Sequence, residues 1–239
     1  MGILRNEVCL ITGAGSGIGE ALAYAARSEG ASVIAADIKP IAADFDIRVA
    51  LDVTDSEACR SLAREVSKTH GAVSIIVNAA GLLSHSTIGD DDYDDTWRQV
   101  FSVNVDGSKN VIRAFTDQII ERRGRVINLA STASVLGSRC GSAYAASKHA
   151  IAGLTKSLAL EFGKTGVRVN ALAPGRIETP MTAPYRDVAA AKATYLDRTA
   201  LGRYGRVEDI VGPFLFLASA QSAYVTGIIL AVDGGYIAN

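Results

Sequence analysis

Seven short apolar runs, at residues 7–12, 32–36, 48–51, 74–78, 124–129, 168–173 and 228–232, recur along the chain. Each is mostly apolar throughout instead of alternating with polar residues, and each is bounded by Gly, Asp, Asn or Pro. Runs of this kind read as strands covered on both faces, which is the pattern of a parallel sheet. Helical stretches separate them, at about 17–29, 56–70, 96–121, 143–162 and 207–218. Strand–helix alternation of this order implies right-handed βαβ crossovers. The expected fold is α/β: one doubly wound parallel sheet of about seven strands with helices on both faces, spanning residues 1–239 as one domain.

Composition narrows the function classes. Lys and Arg total 24 against 25 Asp and Glu, so no basic excess exists to hold nucleic acid or an anionic membrane. Apolar residues at 49% supply a sizeable core and exclude disorder. No run approaches the roughly 20 apolar residues of a membrane helix. Arg5, Asn6 and Glu7 stand where a signal peptide needs its apolar region. Cys9, Cys59 and Cys140 are too few and too scattered for a disulfide framework or a metal site. The expectation is a cytoplasmic protein with no metal.

Two segments fit neither pattern. Residues 82–95 end in Asp90, Asp91, Asp92, Asp94 and Asp95, which read as caps for the following helix in preference to a metal site. Residues 174–206 form a long insertion after a strand's carboxyl end, where such folds keep a substrate lid, here about 180–206.

Thr12-Gly13-Ala14-Gly15-Ser16-Gly17-Ile18-Gly19 follows the first strand and opens the first helix. Glycines let the chain turn sharply and bring its amides to a pyrophosphate, which the helix N-terminus favours. That placement makes the sheet Rossmann-like. Asp37, at the end of the second strand, suits the hydroxyls of an adenosine ribose and repels a 2′-phosphate. NAD is therefore expected, with NADP disfavoured, although Lys39 weakens the inference. Asp52 and Val53 end the third strand and suit an adenine edge; for Asp52 a plain helix cap is an almost equal reading.

Tyr144 and Lys148 lie four apart in a helical stretch and so share a face. A free phenol titrates near about 10, too high for a base at neutral pH. A neighbouring ammonium favours the phenolate and brings it into range for proton exchange with an alcohol or ketone. Ser131, just past the fifth strand, can donate to the substrate oxygen. It also suits a helix cap, and Thr132 and Ser134 are chemically similar neighbours.

Together these pieces resemble the short-chain dehydrogenase/reductase family: TGAGSGIG at 12–19, NAAG at 78–81, Asn104 within VNV, Ser131, YAASK at 144–148, APGRIET at 173–179 and VDGG at 232–235. The resemblance covers essentially the whole chain, in the family's order. It implies that Tyr144 is the acid/base, that Lys148 lowers its pKa and holds the nicotinamide ribose, and that Ser131 orients the substrate oxygen. It implies that Asn104 holds a water linking Lys148 to solvent. Gly13, Ser16, Gly17, Ile18 and Gly19 would hold the pyrophosphate, and Asn78, Ala79 and Gly81 would line the adenosine side. Pro174, Gly175, Ile177 and Thr179 would embrace the nicotinamide. One departure stands out: only fifteen positions separate Asp37 from Asp52, where the family usually places a further helix, so a looser or rebuilt adenine flank is expected.

The remaining residues carry smaller expectations. His149 faces away from Lys148; His85 is a possible substrate contact; Cys140 suits an inert pocket wall; Trp97 and Val100 suit a helix's apolar face. Met181, Tyr185 and Tyr195 bring no concentrated charge to the lid, which suggests a neutral substrate. The resulting expectation is NAD-dependent interconversion of a secondary alcohol and a ketone on a sugar, polyol or cyclic alcohol. A 3-oxoacyl-[acyl-carrier-protein] reductase is the rival enzyme, and a non-catalytic dinucleotide-binding redox sensor the rival of another class. A methyltransferase leaves the Tyr–Lys pair unexplained. The long helices 96–121 and 143–162 and the tail at 235–239 suggest a homotetramer or homodimer.

Overall fold

The computed structural model describes residues 2–138, 141–186 and 189–238. Seven strands form one sheet: β1 (Val8–Thr12), β2 (Ser32–Asp37), β3 (Ile47–Ala50), β4 (Ile75–Asn78), β5 (Arg125–Leu129), β6 (Arg168–Pro174) and β7 (Ile229–Val232). They lie in the order β3-β2-β1-β4-β5-β6-β7, and every neighbouring pair is parallel. Five of these strands, β1, β2, β4, β5 and β6, are buried except at end residues, which agrees with their unbroken apolar sequence. The edge strand β3 instead alternates half-buried and exposed residues, and β7 is half-buried throughout. The strand order reverses between β1 and β4, whose ends Thr12 and Asn78 pair side by side. A crevice opens at such a switch point, outside the carboxyl ends of the strands.

Helices α1 (Gly17–Ser28), α2 (Ser56–Thr69), α3 (Tyr93–Phe101), α4 (Ser108–Ala114), α5 (Thr116–Glu121) and α6 (Ser142–Phe162) follow in chain order. Beyond them come α7 (Ala183–Arg186), α8 (Ala189–Arg198) and α9 (Val207–Ala218). One sheet face buries Leu22 and Ala26 of α1 against Phe214 and Leu217 of α9. The other buries Leu62 of α2 with Val111 and Phe115 beside Val126 of β5.

That distribution revises one expectation. The links β4→β5, β5→β6 and β6→β7 all step the same way along the sheet, yet α9 lies on α1's face while α4 and α6 lie on the opposite one. The β6→β7 crossover therefore has the opposite hand to its neighbours, against the usual uniformity of βαβ units. Long connections escape the steric rule, and residues 175–206 are long enough to pass round the sheet end. An isolated bridge between Ile177 and Gly205 pins the base of that excursion.

Two further segments differ from the sequence expectation. Residues 96–121 are not one helix: α3 begins at Tyr93, widens into a π-type turn at Ser102–Gly107, resumes as α4 and breaks at Phe115 before α5. Gly107 explains the local fit, since a Cβ there would stand 2.5 Å from Val53 Cγ2. Residues 174–206 contain the short helices α7 and α8. Between β2 and β3 no helix forms, as the spacing required. The loop instead buries Phe45 against Tyr24 of α1, ring centroids 4.8 Å apart, with Ile41 and Ala43 packed alongside.

Candidate active site

The switch point opens into a cleft of about 870 Å³. Its first wall is the glycine turn. Gly13 and Gly17 have φ of 66° and 60°, the left-handed region that disfavours side chains. A Cβ on Gly13 would lie 2.7 Å from the Ala80 nitrogen, and one on Gly19 would collide with the Gly13 carbonyl. Glycine at these positions lets turn, helix and β4 end close on one another. Ser16 is the N-cap of α1, but its side chain does not cap it. The first amides of α1 thus meet a cradle that glycines keep open, and these residues fit a pyrophosphate.

Asp37 stands beside the turn. Its Oδ2 accepts from the Gly15 amide and its Oδ1 from the Lys39 amide, each at 2.9 Å. Asp52 and Val53 line the same end of the cleft. The cap of α2 is Asp55, which accepts from the Glu57 and Ala58 amides, whereas Asp52 accepts from Thr54. The helix-cap reading of Asp52 thus passes to Asp55. Ala79, Ala80 and Gly81 form the floor. Asn78 lies behind it, fully enclosed, donating to Asn128 Oδ1 at 2.9 Å; it does not line the cleft.

Tyr144 and Lys148 both face the cleft from α6. The Lys148 ammonium lies 5.7 Å from the Tyr144 ring centroid and donates to the Leu129 carbonyl at 2.7 Å. It is only 6% exposed. Burial lowers its pKa to about 8, because the charged form loses hydration. Ser131 caps the short turn Thr132–Ser134, its Oγ accepting from the Ala133 amide at 3.1 Å. A hydroxyl that accepts in this way keeps its own proton to donate. The cap role and the substrate role are therefore compatible. Thr132 also lines the cleft, while Ser134 is buried and accepts from the Ser131 amide.

Asn104 sits in the π-type turn and does not line the cleft. Its Oδ1 accepts from the Leu82 amide at 2.7 Å, and its Nδ2 donates to the Leu82 carbonyl and to Ser147 Oγ, each at 3.0 Å. It clamps the chain after β4 to α6, one residue from Lys148. Gly81 makes that closeness possible: a Cβ there would stand 3.4 Å from Asn104 Oδ1 and 3.9 Å from Lys148 Nζ.

The far wall comes from residues 174–198. Pro174, Gly175, Ile177 and Thr179 line it together with Met181 and Tyr195. Contributors the sequence did not single out as site residues include Arg176, Thr182, Thr194, Arg198 and Tyr236. Arg176 lies within the APGRIET run, but Arg198 and Tyr236 meet it only through the fold. The guanidinium of Arg176 sits 4.7 Å over the Tyr195 ring, and that of Arg198 sits 4.7 Å over Tyr236. Tyr195 and Tyr236 stack at 4.5 Å. The tail thus contributes a ring to the cleft.

His85 lines the cleft too; burial first, and then Arg176, lower its pKa below the ordinary histidine value. His149 is exposed on the far side of α6, its Nδ1 2.9 Å from the Ala145 carbonyl. Val100 is fully buried, whereas Trp97 stacks on Phe101 at 4.5 Å and stays 37% exposed. The acidic run does not cap α3 as expected: the side chain of its N-cap, Asp92, accepts from Ser86 Oγ instead, Asp90 accepts from the Thr87 amide, and Asp95 pairs with Arg98. Cys140 and the side chain of Tyr185 lie outside the described residues.

A family model described as enoyl-(acyl carrier protein) reductase matches residues 13–237. The rat protein named dehydrogenase/reductase SDR family member 6 is 35% identical over 99% of both chains. The chain belongs to the short-chain dehydrogenase/reductase family. Further proteins resemble it over nearly their whole length. Galactitol 2-dehydrogenase (L-tagatose-forming) of Cereibacter sphaeroides is 43% identical, over 98% of this chain and 96% of that one. A gluconate 5-dehydrogenase from Burkholderia cenocepacia, solved with NADP and tartrate, superposes with a TM-score of 0.91 at 33% identity, covering 99% and 98% of the two chains. Short-chain dehydrogenases bind NAD or NADP and act on CH–OH groups, and this chain is a small-molecule oxidoreductase of that kind.

Proposed function

We propose that the protein interconverts a secondary alcohol and a ketone on a small hydroxylated metabolite, using NAD in preference to NADP. The observation that carries the reading is the buried Lys148 ammonium beside Tyr144, both facing the same cleft as Ser131. The glycine cradle, Asp37, Asp52 and Val53 would hold the adenosine and pyrophosphate; Lys148, Pro174, Gly175, Ile177 and Thr179 would hold the nicotinamide half. When bound, the nicotinamide carries the hydride. The chain's own residues handle the rest. Tyr144 takes the alcohol proton, or returns it to the ketone. The Lys148 charge favours the phenolate. Ser131 donates to the substrate oxygen as charge develops there. Asn104 fixes the Leu82 backbone against α6 and keeps this wall rigid.

The NAD preference rests on Asp37, a carboxylate that would repel a 2′-phosphate. A homodimer or homotetramer is expected by light scattering; the long helix α6, which carries Leu160 at 84% exposure, is the element such a contact would cover. Buried free thiols at Cys9 and Cys59 suit a cytoplasmic setting.

Tyr144→Phe is expected to lower kcat/KM for alcohol oxidation by roughly 10²–10⁴-fold while NADH affinity is retained. Undiminished turnover would defeat the proposal. Faster NADPH-linked reduction of acetoacetyl thioesters than of any free ketone would favour the 3-oxoacyl reductase reading. NADH binding without turnover on any alcohol or ketone would favour a redox sensor.

A further inference from the structure

The described carboxylates of the cleft gather at one end, where Lys39 also lies. Among its described lining residues the carboxylates are Asp37 and Asp52, both at the end built by β2 and β3. At the other end, the described lining residues between 176 and 198 include Arg176 and Arg198. A lined cleft of one sign concentrates ligands of the other.

The two arginines are held in a preset frame. Contacts run from Arg176 to Tyr195, from Tyr195 to Tyr236 and from Tyr236 to Arg198. Tyr195 is itself anchored, its hydroxyl accepting from the Arg176 amide at 2.6 Å. Ring stacking engages the flat face of a guanidinium, while its N–H donors lie in the plane and point away from the ring. Arg176 gives one of them to Tyr204 Oη at 3.3 Å, and no described carboxylate lies within ion-pair distance of it. Arg203 shows the alternative in the same segment: it grips Asp209 through two hydrogen bonds of 2.7 and 2.8 Å. That arginine is a structural tie. Arg176 faces the cleft instead.

We infer that this end of the cleft is a carboxylate subsite: the substrate is a hydroxy acid whose secondary alcohol reacts at Tyr144 and Ser131 while Arg176 and Arg198 hold its carboxylate. The inference rests on the alcohol–ketone reading above and adds the chemical class to it. It replaces the neutral substrate expected from sequence, where residues 22 positions apart gave no sign of converging.

The test uses matched pairs that differ only in a carboxylate or a CH₂OH: gluconate with glucitol, galactonate with galactitol, threonate with threitol. Each is titrated calorimetrically into the enzyme–NADH complex and assayed with NAD. At least one acid is expected to bind about tenfold or more tighter than its alditol, a preference that Arg176→Gln and Arg198→Gln each largely erase through KM. Arg176→Lys keeps the charge and stem without the planar fork, and should retain part of the preference; matched melting curves establish that each variant folds. Equal binding of acids and alditols, or a preference that survives both Gln substitutions, overturns the inference. So does a loss of NADH affinity as large as the loss of acid affinity, because the arginines would then serve the coenzyme. Arginine-dependent acid binding without turnover supports the subsite and defeats the alcohol–ketone reading. Turnover of alditols unaffected by the arginines does the reverse.

Discussion

Two buried cations in this protein meet the same cost and answer it differently. Lys148 is 6% exposed and Arg168 is 9% exposed, and neither has a carboxylate partner among the described residues. Burial lowers both pKa values, to about 8 for Lys148 and, with added repulsion from Arg125, to about 10 for Arg168. Arg168 makes four hydrogen bonds through its two terminal nitrogens. It donates to Ser222 Oγ and to the Leu217, Ser219 and Val225 carbonyls, tying the end of α9 to β6. Among the described residues Lys148 donates to one acceptor, the Leu129 carbonyl, and it turns toward the cleft. A cation that holds a fold together gives most of its donors to it. One that serves chemistry keeps donors for what enters the site.

If that contrast is right, exchanging each for methionine should damage different properties. Lys148→Met is expected to reduce kcat by about 10²–10⁴-fold, since it removes the charge that acidifies Tyr144. Thermal unfolding should show no loss of stability, because an incompletely partnered buried charge is removed. Unchanged kcat would erase the distinction. Arg168→Met should do the opposite. It deletes four hydrogen bonds at once, although the Leu217 and Ser219 carbonyls keep Ser222 Oγ and the Val225 carbonyl keeps Asn170, at a cost of about 2–4 kcal/mol, or roughly 4–16 °C in Tm. Its kcat at a temperature where it stays folded should be close to that of the parent.

A pH series sharpens the same point. The folded-state pKa of Lys148, about 8, lies below its ordinary value of 10.5, so above pH 8 the folded protein releases a proton that the unfolded chain still holds. Stability of the coenzyme-free enzyme, relative to Lys148→Met, should therefore rise between pH 8 and 10.5, by at most about 1.4 kcal/mol per pH unit. A flat difference would mean the ammonium is not destabilised by burial. The smallest effect belongs to Ser222→Ala. It deletes one acceptor of Arg168 and should cost about 1 kcal/mol, measurable as a Tm lower by roughly 2–4 °C.

Sequence patterning reached most of the scaffold because it is locally encoded. Strand ends fell within a residue or so, since two-sided burial writes an unbroken apolar run and Gly, Asp or Pro marks each stop. Tyr144, Lys148 and the glycine turn were legible for a similar reason: their spacing within one helix or turn is their geometry. Legibility failed where tertiary contacts decide. The π-type turn at Ser102–Gly107 sets Gly107 against Val53, some fifty positions away, and nothing in SVNVDG announces it. The opposite hand of the β6→β7 link could not be read from α9, whose own sequence fits either sheet face. Arg176, Arg198 and Tyr236 converge only because a long excursion and the chain's tail meet over the cleft. Asn104 was found through a motif, but its bonds to Leu82 and Ser147 were not foreseeable from VNV.

The carboxylate of Asp37 has a consequence for redesign. One oxygen already holds the Gly15 amide and the other holds the Lys39 amide, so the group that would discriminate between coenzymes also keeps the phosphate-binding bend in shape. Retooling the enzyme for a phosphorylated ribose by trimming this side chain would slacken the bend along with lifting the repulsion. An engineer would have to supply a substitute acceptor for Gly15, which an asparagine at the same position could offer and an alanine could not.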